Sequence, residues 1–152
     1  MLLIALTVAL PGCIPTTWLP DSSGFIYVKP IKSKEPNARA TGGQLIHFDV
    51  QKKAGQVLVA DIGPGTNWPA VSPDGKRIAV ARFKGEVGKA TTVQIVLYDF
   101  QGKLLEESKG SIWAPAEPKN FVLTSNARLF WSPKNDMLVV ADNNTTGIYD
   151  LQ

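Results

Sequence analysis

The sequence predicts an all-β chain built from repeated four-stranded antiparallel units, and three observations carry that expectation. The first is a turn between apolar segments that occurs three times: Trp18-Leu19-Pro20-Asp21-Ser22-Ser23-Gly24-Phe25-Ile26-Tyr27-Val28, Val71-Ser72-Pro73-Asp74-Gly75-Lys76-Arg77-Ile78-Ala79-Val80 and Trp131-Ser132-Pro133-Lys134-Asn135-Asp136-Met137-Leu138-Val139-Val140. Proline presets φ, Asp bonds the backbone of its own turn, and Gly accepts positive φ. The first copy reads as one residue longer in the turn. The second observation is a companion tetrapeptide, Phe48-Asp49-Val50-Gln51, Tyr98-Asp99-Phe100-Gln101 and Tyr149-Asp150-Leu151-Gln152, whose aspartates stand 50 and 51 residues apart. Two motifs in one order at a near-constant period mark a repeat architecture. The third is the pattern of the apolar segments: Val93, Ile95 and Leu97 lie on one strand face, and Val96, Tyr98 and Phe100 on the other. Strands apolar on both faces belong to sheets covered on both sides.

Taken in order, the chain opens with Met1 to Leu10, apolar apart from Thr7, followed by Pro11-Gly12-Cys13. A run of this length is too short to cross a bilayer, which takes about 20 residues. It fits the apolar core of an export signal. Cys13 is the sole cysteine, which excludes an internal disulfide. Leu, a small residue and Cys resemble the lipobox of bacterial lipoproteins, which implies lipidation at Cys13, a membrane anchor, and residues 1–13 as the signal segment. Pro11 and the lack of a preceding Lys or Arg depart from that pattern; a start upstream of Met1 accounts for the missing charge. Ile14 after the cysteine, rather than Asp, favours the outer membrane over retention at the inner one under the same resemblance.

Each repeat then reads as four strands. An inner strand ends at Trp18, Val71 or Trp131, and the proline turn leads to a second strand. A long loop reaches a third, ending at the aromatic-Asp pair, and a Gln-containing turn leads to a fourth at Gln56 to Ala60 and Lys103 to Glu107. Four-stranded units of this length build β-propellers. The expected division is blade 1 over 14–65, blade 2 with a long connection over 66–126, and a partial blade 3 over 127–152. The first two turn copies, Trp18 to Val28 and Val71 to Val80, closely resemble the WSPDG repeats of TolB-type propellers, modules of the bacterial periplasm. Related repeats occur in the propellers of dipeptidyl-peptidase and tricorn-type proteases. Because closed propellers have four to eight blades, this chain is expected to be a fragment of a longer one or to assemble with another copy.

In an antiparallel meander the tight turns share one end of each sheet, and the connections 29–44, 61–67, 84–92, 109–127 and 142–147 share the other. Long loops on a rigid scaffold are where binding concentrates, so this end is the expected surface for a protein partner. Trp68 and Trp113 stand at these loops outside the repeated slots, as candidate partner anchors. Lys32, Lys34 and Arg39 form a local basic stretch suited to phosphate headgroups beside a lipid anchor. The net charge of +3 is spread over both ends, and no basic cluster interleaved with aromatics points to nucleic acid.

No catalytic, cofactor or metal residues emerge. Asp49, Asp99 and Asp150 occupy a place that resembles the structural Trp-Asp position of WD-repeats. Trp18 and Trp131 read as packing between blades, since Val71 takes their slot in the middle copy. His47 is the sole histidine, and a lone strand histidine is a packing residue before it is a ligand. Gly63-Pro64-Gly65-Thr66 lacks the lysine and helix start of a phosphate cradle. The expectation is a non-catalytic propeller of the cell envelope, exported and periplasmic or anchored to the outer membrane, that binds a protein through its loop end. Two alternatives stand beside it: the propeller of a dipeptidyl-peptidase-like or tricorn-like hydrolase whose catalytic domain lies elsewhere, and a propeller enzyme acting on glycans or lactones.

Overall fold

A computed structural model describes residues 16–31, 42–64, 68–84, 92–108, 128–142 and 145–151. Eleven strands run in chain order: β1 (Thr16–Trp18), β2 (Gly24–Ile31), β3 (Gly42–Asp49), β4 (Ala54–Val59), β5 (Ala70–Val71), β6 (Ile78–Lys84), β7 (Thr92–Tyr98), β8 (Leu104–Glu107), β9 (Arg128–Trp131), β10 (Met137–Asp142) and β11 (Thr145–Asp150). No helix occurs among the described residues. The strands form three antiparallel meanders, β1-β2-β3-β4, β5-β6-β7-β8 and β9-β10-β11. All-β architecture in four-stranded units, with three strands described in the third, follows the sequence reading.

The proline turns explain why the sheets superpose. The strand pairs Trp18–Phe25, Val71–Ile78 and Leu138–Trp131 enclose loops of equal length. The first turn is therefore not one residue longer; the sequence suggested otherwise because its glycine, Gly24, falls later. Ser22, Gly75 and Asn135 all take positive φ, at 61°, 68° and 62°, in the same slot four residues after the inner strand's last residue. Only that slot requires left-handed backbone, and glycine fills it without strain in one copy. The serine of the motif has a function that the sequence reading did not assign. Ser72 Oγ accepts the Arg77 amide at 2.9 Å, and Ser132 Oγ accepts those of Asp136 and Met137 at 3.2 and 3.1 Å. In the first copy Leu19 stands there and packs into the core, while Asp21 accepts the Ser23 amide at 3.0 Å.

The aromatic-Asp pair serves the opposite turn. Asp49 accepts the Lys52 amide at 2.9 Å, and Asp99 accepts those of Gln101 and Lys103 at 2.9 and 2.8 Å. The Lys52 amide bond holds the Asp49 carboxyl below its usual range. These are carboxylates that cap turns.

Two apolar cores lie between the sheets. Ile26, Val28, Leu45 and Ile62 of the first sheet meet Ile78, Val80, Val96 and Tyr98 of the second. The other face of the second sheet, with Ala70, Ala79, Ala81, Val93, Ile95 and Leu97, meets Leu129, Leu138 and Val140 of the third. Residues 78–81 of β6 and 93–98 of β7 in the middle sheet are thus covered on both faces, as their doubly apolar pattern requires. Each large aliphatic buried here contributes about 1.5–3 kcal/mol before conformational entropy is charged against it.

Two expectations change. The span 142–147 is not a long connection, because Asp142 pairs with Thr145 and leaves two residues between strands. Trp18 does not pack between described sheets: it is 58% exposed, and its ring meets only Phe25 of its own sheet edge-on at 5.5 Å. Among the described residues, the slot packs its tryptophan against another sheet in the third copy. There the Trp131 indole Nε1 donates to the Ala70 carbonyl at 3.1 Å.

Candidate functional site

The innermost strands, β1, β5 and β9, come together along one side of the three sheets. Hydrogen bonds stitch them: Thr17 Oγ1 donates to the Pro69 carbonyl, and Trp131 donates to that of Ala70. Between them lies an open groove of about 370 Å³ lined by residues of all three inner strands, with Trp68, Pro69 and Pro73 from the flanking segments.

The two ends of the groove differ. At the tight-turn end stand Pro73 and Trp131, with the Arg77 guanidinium 4.7 Å from the Trp131 ring centroid. Arg77 also donates to the Asn135 carbonyl at 2.6 Å, so it bridges the second and third sheets. At the long-loop end stand Thr16, Trp68 and Arg128, and the Arg128 guanidinium lies 4.5 Å from the Trp68 ring centroid. Stacking of this kind is worth about 0.5–1 kcal/mol at an exposed site. The contact places a guanidinium, the side chain best matched to a planar anion such as a carboxylate, against the ring at this end of the groove. The groove therefore offers a cation against an aromatic ring, the Thr16 hydroxyl, and proline and aromatic surface.

A second polar cluster lies at the same end, between the sheets. Arg82 of β6 pairs with Glu107 of β8 and donates to Gln94 Oε1 of β7 at 3.3 Å. Gln94 in turn donates to the Ser108 carbonyl at 3.4 Å, and Ser108 Oγ accepts the Ile95 amide at 3.1 Å. Arg82 stands at the loop end, but its side chain is mostly covered and ties three strands of one sheet. Nothing in a linear sequence marks this, because the partners sit 12 and 25 residues away.

Of the predicted partner-binding residues, Trp68 lies in the groove, joined by Arg128, which sequence reasoning did not select. Cys13, Lys32, Lys34, Arg39 and Trp113 lie outside the described residues. His47 is half-buried against the edge of Phe100, with centroids 6.1 Å apart, and Gly24 passes so close that a β-carbon there would come within 2.8 Å of its ring nitrogen. That is a packing position. Among the described residues, no three His, Cys, Asp or Glu side chains gather as metal ligands would.

No protein-family model matches the chain, and no curated protein matches it by sequence. Among solved structures it is similar to the periplasmic gluconolactonase PpgL of Pseudomonas aeruginosa, with a TM-score of 0.51 and 16% identity over 90% of this chain and 39% of that one. Also found is TolB from Acinetobacter baumannii, with a TM-score of 0.36 and 16% identity over 91% of this chain and 41% of that one. The chain spans about two-fifths of the length of each. At these identities the likeness concerns fold: the three meanders are blades of a β-propeller, and the groove lies where the inner strands of a propeller face its central channel.

Proposed function

We propose that this chain is a propeller module of the bacterial cell envelope that binds a protein partner at the long-loop mouth of its inner-strand groove, without catalysing a reaction. The observation that carries this reading is the Arg128–Trp68 stack at that mouth. It sets a cation against an aromatic ring where β9 begins, beside the segment that leads into β5. The preferred partner is an extended segment with a carboxylate aimed at Arg128 and apolar side chains against Pro69 and Phe130. A hydrolytic reading needs an acid–base pair or a metal at the channel. The described groove lining contributes hydroxyls, an arginine and apolar surface, a set better suited to holding a chain than to moving protons.

Export and anchoring at Cys13 belong to the same proposal, supported by the apolar run before the sole cysteine. Lys32, Lys34, Arg39 and Trp113 are assigned with it to the loop-end surface. The test is affinity capture from envelope extracts by the wild-type chain, a Trp68→Ala/Arg128→Ala variant and a Lys134→Ala control at the opposite end. A partner retained by wild type and control and lost from the double variant is the expected result. Equal recovery by all three overturns the assignment of the mouth. Turnover of a sugar lactone that disappears in the double variant overturns the non-catalytic reading. Membrane fractionation of a Cys13→Ser variant tests the anchor, and the expected outcome is release into the soluble fraction.

A further inference from the structure

The tryptophan and the arginine at the mouth occupy one slot of the repeat. Trp68 stands three residues before Val71 and Arg128 three before Trp131, the residues that end the inner strands of blades 2 and 3. Successive blades thus bring the two side chains side by side, with the Arg128 guanidinium 4.5 Å from the Trp68 ring centroid. A contact of this kind operates within about 6 Å, so a shift of roughly 1.5 Å in either element ends it. β5 pairs with β6 over two residues only, Ala70 and Val71, and Trp68 precedes both. The alignment of its ring therefore depends on what restrains the residues between.

Those residues are held from outside their own sheet. Pro69 fixes its own φ and disfavours helical backbone at Trp68. Its carbonyl accepts the Thr17 hydroxyl of blade 1, and the Ala70 carbonyl accepts the Trp131 indole N–H of blade 3. Two consecutive carbonyls are thus gripped by two different blades, from 52 and 61 residues away in the chain. We infer that Thr17 and Trp131 are positioning residues of the mouth: by holding the two carbonyls that follow Trp68, they keep its ring where Arg128 stacks on it. This rests on the mouth being the docking site proposed above, and adds to it a dependence on blade 1. Thr17 has committed its hydroxyl proton to Pro69, so it acts on a ligand through the placement of Trp68. The ring comes from blade 2, the cation from blade 3 and part of their alignment from blade 1.

Fluorine NMR of the chain labelled with 5-fluorotryptophan tests the role of Thr17 without any partner. Four tryptophans give four resonances. Trp68→Phe identifies the stacked ring, and Arg128→Met shows where its resonance lies once the cation is gone. Thr17→Val removes the hydroxyl and keeps the shape of the side chain, and Trp131→Phe frees the other carbonyl. Both are expected to move the Trp68 resonance towards its position in Arg128→Met, while Thr17→Ser leaves it at the wild-type position. Ile26→Val weakens the same junction from within its core and is expected to leave the resonance in place. In the capture assay, Thr17→Val is expected to recover about two- to fivefold less partner, the factor that one exposed cation–π contact represents. A Trp68 resonance unmoved by Thr17→Val or Trp131→Phe, or moved as far by Thr17→Ser or Ile26→Val, overturns the inference. So does undiminished capture by Thr17→Val beside a shifted resonance. If the wild type captures nothing, the docking reading fails and the resonances still decide the role of Thr17.

Discussion

The two junctions of this chain join blades by different means. Between blades 1 and 2, branched aliphatics meet in bulk, Ile26, Val28 and Leu45 against Ile78, Val80 and Val96. Between blades 2 and 3, Ala79 and Ala81 make room on one side for Leu138, Val140 and the rings of Trp131 and Tyr149 on the other. The polar link between inner strands reverses as well. In the first junction the earlier blade donates, from Thr17 to the Pro69 carbonyl. In the second the later blade donates, from Trp131 to Ala70. Val71, which cannot donate, stands where the reversal requires it. The blade pair is thus specified by total volume and one satisfied carbonyl, and either partner can supply each of them.

That comparison breaks most readily at its largest side chains. Ile78→Ala in the first junction and Leu138→Ala in the second each remove a fully buried side chain, and each is expected to cost about 2–5 kcal/mol in denaturant unfolding. Next comes the size asymmetry. Ile26 and Ala79 are equivalent positions, so Ile26→Ala should cost about 2–5 kcal/mol while Ala79→Leu costs about 1–3 kcal/mol by overpacking. If both substitutions prove neutral, the two junctions do not differ in packing as described. The polar links should be equal despite their opposite directions: Thr17→Val and Trp131→Phe are each expected to lose about 0.5–1.5 kcal/mol. Ser22→Gly sits outside both junctions and should gain about 0.5–1 kcal/mol by relieving left-handed backbone.

The smallest effect under ordinary conditions is alkaline, and at the second junction it centres on Tyr149. Burial, followed by the hydrogen bond to Glu106, pushes the Tyr149 hydroxyl up to about 12. Its bond to Glu106 measures 2.6 Å and crosses from blade 3 to blade 2. Because the folded value lies above the unfolded one near 10, the contribution is complete below pH 10 and is lost as pH rises towards 12. Unfolding midpoints measured between pH 9 and 12 should fall for the wild type and stay flatter for Tyr149→Phe. An equal fall in both would remove Tyr149 from the junction's alkaline response.

Much of this organisation was legible in the residues because it is local. The three proline turns, the alternation Val93, Ile95, Leu97 against Val96, Tyr98, and the turn-capping aspartates are each set within a few positions of chain. The equal turn length is hidden in the residues for a physical reason: glycine is the usual sign of positive φ, and serine and asparagine hold that conformation here. The groove was not legible, since it depends on three short strands meeting across more than a hundred residues. Only Trp68 gave it away, by standing outside the repeat. Arg128 opens an inner strand and carries no local sign that an indole 60 residues earlier will lie beneath it.

Every strand pairing described is between chain neighbours, which has a consequence for how the molecule comes into being. No sheet waits for a distant partner, so the loop closed at each pairing is short and its entropic cost modest. Low contact order of this kind favours quick formation of individual units. A blade emerging from a ribosome can complete its hydrogen bonds before its successor appears. What it cannot complete is its apolar face, which stays wet until the next blade arrives. The chain therefore acquires its backbone structure early and its stability late, in order from the amino end, with each blade serving as the template on which the next one sets.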